Sequence, residues 1–150
     1  MPDYYTVVFT PSTWQDFIAL PKKSIGFRLT LEASIKKVKT DDVLICYLAE
    51  RMTWCGALTV SSSPYKSMDH VYATKYKLPL IVDVEPQCIL DQQQEIPVKT
   101  KDLWDQLDRF KHEDHRINGW AVKVGLIRSM RKLPKKDAET LLQWMIRSKK

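Results

Sequence analysis

Side chains able to do covalent or metal chemistry are sparse in these 150 residues, and their spacing argues against most of it. His112-Glu113-Asp114-His115 is the densest run of imidazole and carboxylate ligands. A zincin helix sets its two histidines four apart with glutamate directly after the first, so that both imidazoles share one face. Here the histidines are three apart, Lys111 and Arg116 flank them, and no third ligand stands at a matching interval, which is the pattern of a solvated loop. Cys46, Cys55 and Cys88 are odd in number and lack both CxxC spacing and a neighbouring histidine. Buried thiols in a reducing cytoplasm are the expectation. Ser61-Ser62-Ser63 sits in no Gly-x-Ser-x-Gly elbow, and Asp41, Asp42, Asp102, Asp105 and Asp108 fall at helix starts or on exposed faces. The four glycines (Gly26, Gly56, Gly119, Gly125) are too scattered for a P-loop or a dinucleotide fingerprint. No catalytic residue, metal ligand or cofactor is therefore expected.

Aromatic and basic residues are the remaining chemistry. Of the five tryptophans, Trp14, Trp54 and Trp120 lie at or near the ends of predicted elements. Such residues serve core packing, or they wall a pocket for a flat or cationic ligand, a nucleobase being the obvious flat one. Lys and Arg number 24 against 18 Asp and Glu, a net charge of +6 that suits an anionic partner and also serves solubility. Arg28, Arg51, Arg128 and Arg131 stand near the same loops, where they would hold phosphates.

The elements that must position these residues are short. Tyr4 to Phe9 reads as a strand buried on one face. Ser12 and Gln15 have capping-box spacing ahead of Trp14, Phe17 and Ile18, a helix stopped by Pro21. Ser24 to Arg28 is strand-like; Leu31, Ile35 and Val38 recur at helical spacing with Lys36, Lys37 and Lys39 on the outer face. Asp42 to Leu48 and Trp54 to Ser61 form a β-hairpin, ended where Pro64 cannot donate to the ladder. Val71 to Tyr76 and Leu78 to Val84 are further strands, the second ended by Pro86, and Gln92 to Gln94 is a loop. Thr100 caps a helix through Leu103, Trp104, Leu107 and Phe110. Gly119 to Ile127 is a last strand, and a closing helix beginning near Pro134 turns Leu141, Leu142 and Met145 inward. Short strands interleaved with short helices, in no βαβ rhythm, give an α+β fold on a strongly curved mixed sheet, with residues 1–150 forming one domain. Apolar runs of a few residues are far short of a membrane span, and no secretory signal is visible.

Four segments in this order resemble EVE domains, a PUA-like family similar in fold to YTH domains: Trp14 followed by Ile25-Gly26-Phe27-Arg28; Val38-Lys39-Thr40-Asp41-Asp42-Val43-Leu44; Trp54-Cys55-Gly56-Ala57-Leu58-Thr59-Val60 with Ser63-Pro64-Tyr65; and Gly119-Trp120-Ala121-Val122 through Met130-Arg131-Lys132-Leu133-Pro134. Ile25 stands where the family tends to have tryptophan, and Asp41 where it usually has glycine. The resemblance implies a curved sheet closing toward a barrel, flanked by short helices. It also implies a nucleic-acid-binding domain that takes a flipped, modified base into an aromatic pocket. Carried over, Ile25, Gly26, Phe27, Arg28, Trp54, Tyr72 and Trp120 would line that pocket, and Arg128 and Arg131 would hold phosphates. Extruding a base costs a few kcal/mol, aromatic walls return about 1–3 kcal/mol per base, and a methyl group in a dry cage adds about 0.8 kcal/mol.

The implied partners are DNA or RNA, without membrane, and the resemblance leaves room for association with a nuclease or modification system. Two other readings stay open. ASCH-type relatives of similar fold act on modified nucleosides, so a small amidohydrolase is one; it would need a buried Lys or Glu with a shifted pKa. A protein-interaction module with all its aromatics in the core is the other.

Overall fold

The run Val43-Leu44-Ile45-Cys46-Tyr47-Leu48 organises the structure, because all six residues are buried. A strand with one wet face alternates apolar and polar residues; this one does not alternate because it is covered on both faces. The computed structural model describes residues 2–20, 23–67, 78–108 and 131–150. Their elements are β1 (Tyr4–Phe9), α1 (Pro11–Ala19), β2 (Ser24–Phe27), α2 (Glu32–Ile35), β3 (Val43–Leu48), β4 (Thr53–Val60), β5 (Tyr65–Lys66), β6 (Leu80–Ile89), β7 (Ile96–Pro97), α3 (Lys101–Gln106), β8 (Arg131–Leu133) and α4 (Lys135–Lys149). The sheet runs β2-β6-β4-β3-β1-β8, with β5 added beside β6 and β7 beside β4. β1 lies parallel to β3, in register from Tyr4 opposite Val43 to Phe9 opposite Leu48, and the other pairs are antiparallel. The result is the mixed, curled α+β half-barrel expected from the sequence.

Two hydrophobic cores lie on opposite faces of this sheet. The first gathers Tyr5, Val7 and Phe9 of β1, Ile25 and Phe27 of β2, and Leu44, Cys46 and Leu48 of β3 against Trp14 and Phe17 of α1 and Ile35 of α2. The second packs Val43, Ile45 and Tyr47 of β3 and Trp54 of β4 under Leu103 and Trp104 of α3 and Leu141 and Met145 of α4. Alternation along β3 thus sends odd and even residues into different cores. Trp14 stacks on Phe17 at 5.4 Å and meets the edge of Phe9 at 4.9 Å. Gly56 lets this cluster approach β4: a Cβ there would stand 2.7 Å from the Cys88 carbonyl oxygen and 3.2 Å from the Trp14 ring.

The hairpin and the first strand form where the sequence places them. The helix after Thr100 starts as expected but stops at Gln106, short of Leu107, and the Thr100 hydroxyl donates to the Pro97 carbonyl instead of capping it. Four further local expectations change. The capping box of α1 is Thr10 with Thr13 rather than Ser12 with Gln15, since Pro11 at the first turn needs no N–H partner and starts the helix earlier. α2 is a single turn, and Val38 reaches the core from the segment after it. β6 does not end at Pro86 but runs to Ile89: opposite the Ala57–Leu58 step of β4 it advances two residues, from Cys88 to Pro86, and the bulge at Gln87 accommodates a residue without a donor. Arg131 to Leu133, expected only as the approach to the closing helix, form β8 on β1. The expected strands over 71–76 and 119–127, Phe110 and the 112–115 run lie outside the described residues.

Candidate nucleic-acid interface

Two clusters of ion pairs join β5 to α2, and the segment after α2 to the start of β1 and to β8. Lys66 of β5 reaches Glu32 at 3.3 Å, and Glu32 also holds Lys36, one helical turn on, at 3.5 Å. After α2, Lys39 bridges Asp3 and Asp42, each at 3.0 Å, and Asp3 in turn holds Lys132 of β8 at 3.5 Å. Lys37 is exposed beside them. Four cations (Lys36, Lys39, Lys66, Lys132) thus share two partly exposed carboxylates, Glu32 and Asp3, with Asp42 fully buried beside Lys39. The lysine side chains in ion pairs are 55–73% exposed, so their donors stay accessible to an incoming anion.

The buried carboxylate explains why the ridge has a fixed shape. Asp42 accepts from the Asp3 N–H at 2.9 Å, the Lys39 N–H at 3.0 Å and Lys39 Nζ at 3.0 Å. It ties the entry of β1 to the segment between α2 and β3. The preceding Asp41 has φ 79°, the left-handed region where glycine is at ease, so the glycine usual at this position in the resembled family meets a real backbone demand. The Lys39 hydrogen bond, helped by Lys132, holds the Asp3 carboxyl below its ordinary value; Lys66 does the same to Glu32. Lys39 is pushed upward, first by its bond to Asp42 and then by Asp3.

The site residues named from sequence divide in the structure. Ile25, Gly26 and Phe27 are buried on β2 against Val82, Ile81 and Leu80 of β6, and Arg28 is exposed directly after them. Trp54, expected beside them, is fully buried in the second core with its ring 5.5 Å from Tyr47, on the other face of the sheet. The cause is strand parity: Trp54 pairs with Tyr47 and shares its face, while Ile25 and Phe27 face the first core. Arg131 is exposed on β8 but shares the face of buried Leu133, opposite to Lys132. Tyr72, Trp120 and Arg128 lie outside the described residues. Lys39 and Lys132, the hinges of the ridge, were not singled out as phosphate ligands; the signal available was the basic outer face of the Leu31 to Val38 segment and the Arg131-Lys132 pair.

Other chemistry has little to stand on among the described residues. Asp137 is fully buried and accepts from the Asp108 N–H at 2.9 Å; Glu95 is held by Arg51 at 3.0 Å and by the Thr53 hydroxyl at 2.9 Å. Burial pushes the Cys46 and Cys55 thiols up and leaves no ready thiolate. No group of three or more His, Cys, Asp or Glu able to hold a metal occurs among the described residues, and none of their helices is long and apolar enough to cross a membrane.

The parallel β1/β3 pair inside an otherwise antiparallel curled sheet, with helices on both faces, defines the class: a PUA- and YTH-like half-barrel. No family model matches the chain, and no curated protein matches it in sequence. Among solved structures it is similar to Rpa0253 from Rhodopseudomonas palustris, at 12% identity and TM-score 0.59, over 95% of this chain and 92% of that one. A hypothetical protein from Leishmania major is similar at 11% identity and TM-score 0.63, over 100% and 98%. The YTH domain of Zygosaccharomyces rouxii MRB1 protein, solved in complex with N6-methyladenosine RNA, is similar at 8% identity and TM-score 0.63, over 96% and 84%. At identities this low, the structural likeness establishes the shared fold alone.

Proposed function

We propose that this chain is a nucleic-acid-binding domain that tracks the phosphate backbone with the Lys66–Lys36–Lys39–Lys132 ridge and takes one base, in modified form, beside β2. The ridge carries the reading: four cations from three separate parts of the fold are held by Glu32, Asp3 and buried Asp42, with Lys37 exposed next to Lys36 in the chain. The fold shared with YTH domains, one of them bound to N6-methyladenosine RNA, supports the same partner class. The base-reading part rests on the resemblance at Ile25-Gly26-Phe27-Arg28 together with Tyr72 and Trp120. In it, Arg28 stands four residues before Glu32, so a base beside β2 would leave its phosphates at the start of the ridge.

The test is fluorescence anisotropy with single-stranded RNA and DNA, each with and without N6-methyladenosine, between about 50 and 200 mM salt. Each phosphate contact on a single strand adds about −0.7 to the slope of log K against log salt, so the triple variant Lys36→Gln, Lys37→Gln, Lys132→Gln is expected to flatten the slope by about 2. Absence of binding at low salt, or a slope indifferent to the triple variant, overturns the ridge reading. Equal affinity for methylated and unmethylated strands overturns base reading while leaving phosphate binding in place.

A further inference from the structure

On the opposite face of the sheet from α2, a cleft of about 400 Å³ opens between the last turn of α4 and the β7–α3 connection, lined by Trp144, Arg147, Ser148, Glu95, Pro97 and Thr100. That volume is within the range of small-molecule sites. Trp144, Arg147 and Ser148 are spaced i, i+3, i+4, which stacks them on one helix face. The Arg147 guanidinium lies 5.3 Å from the Trp144 ring centre, and the indole N–H donates to Oε1 of the Gln106 side chain at 3.4 Å. The hydroxyls of Ser148 and Thr100 donate to the backbone carbonyls of Gln94 and Pro97, which fixes both walls.

The electrostatics of this cleft differ from those of the ridge. Glu95 is 3% exposed and committed to Arg51 and Thr53. Lys99 and Lys101 flank the lining Thr100, and Lys149 and Lys150 follow Ser148; these four lysines and Arg147 are exposed and have no carboxylate partner among the described residues. The end of α4 carries about half a negative charge, which Arg147, Lys149 and Lys150 outweigh. A flat aromatic and guanidinium surface inside an unpaired cationic rim selects an anion with a planar apolar part. The lining of α4 runs over five residues, Trp144 to Ser148, or about 6 Å of helix, the length of one nucleotide unit rather than of an extended peptide.

We propose that this cleft binds a single nucleotide, its base on the Trp144–Arg147 pair and its phosphate on the Arg147 guanidinium and the lysine rim. The nucleotide is free or belongs to a strand, and the site is separate from the ridge.

The test is titration of the whole chain with AMP, adenosine, inorganic phosphate, a single-stranded tetranucleotide and hexaglutamate, followed by backbone amide NMR shifts. AMP is expected to move the amides of Trp144, Arg147 and Ser148 and to bind about tenfold more tightly than adenosine or phosphate alone. Arg147→Gln, an exposed change that leaves the core intact, is expected to weaken AMP about tenfold, and Trp144→Leu to do the same. Read at the cleft amides in the triple ridge variant, tighter binding of the tetranucleotide than of AMP assigns the site to a strand, and weaker binding to a free nucleotide. The triple ridge variant is expected to leave AMP affinity unchanged, so the two readings fail separately. Phosphate binding equal to AMP, hexaglutamate binding more tightly than AMP with the same Arg147 dependence, or shifts absent from the cleft would each overturn the proposal.

Discussion

Replacing Gly56 by alanine tests how the first core is assembled. The new Cβ would stand 2.7 Å from the Cys88 carbonyl oxygen, a backbone atom of β6 held in the sheet beside β4, and 3.2 and 3.4 Å from two carbons of the Trp14 ring. Neither wall gives easily: Trp14 is 1% exposed and stacked on Phe17. Forcing a methyl group into such a site costs about 1–3 kcal/mol, while alanine in place of glycine recovers about 0.4–1 kcal/mol through the unfolded chain. The expected net loss is about 1–2 kcal/mol, measured by urea unfolding followed by far-UV dichroism with the m-value unchanged. Trp14→Phe in the Gly56→Ala background should relieve the ring contact and leave the carbonyl contact, giving a favourable coupling of at least about 0.5 kcal/mol in a double-mutant cycle. A neutral or stabilising Gly56→Ala, or strictly additive effects, would show that β4 and α1 are not pressed together at this point.

Two further outcomes follow from the ridge. Asp41→Gly is expected to raise stability by about 0.5 kcal/mol in the same urea assay, because φ 79° strains any residue with a Cβ and even aspartate only partly avoids that cost. Asp3→Asn removes a carboxyl whose folded pKa is lowered, so the stability it contributes is complete above the ordinary carboxylate range near 4 and is lost as pH falls through the lowered folded value. The gap between wild type and Asp3→Asn should therefore be constant from pH 5 to 7 and close as the pH drops below about 4; a gap that widens toward acid would mean the Lys39 and Lys132 contacts do not hold Asp3.

How much of this was legible can be judged at particular residues. β3 was plain because a run without polar positions has few places to go but a strand covered on both faces. The parity that separates Trp54 from Ile25 and Phe27 was not legible, since it depends on which face each strand presents after β2 crosses to pair with β6. Pro86 misled because a proline beside a bulge need not end a strand, and the extra residue, Gln87, shows only once β6 is set against Ala57 and Leu58 of β4. Lysines read one by one as solvated charges became a ridge only when β1 brought Asp3 between Lys39 and Lys132, contacts 36 and 129 residues apart in the chain. Asp41 is a further case: the glycine usual there in the resembled family was a pattern without a cause until the backbone showed φ 79°.

The pairing of β1 with both β3 and β8 has a kinetic side. The hydroxyl of Thr6 is satisfied by the carbonyl of Arg131, 125 residues later, so the first strand of the sheet stays half-edged until almost the whole chain has been synthesised. At about 5–20 residues per second on the ribosome, that is an interval of several seconds in which β1 can pair on one side only. Sheets closed by such distant contacts fold slowly, and an open strand edge recruits other strands while it waits. The interval before residue 131 is made is thus the time when this protein has most use for a chaperone, and a nascent chain stopped before residue 131 is the form in which that demand can be measured.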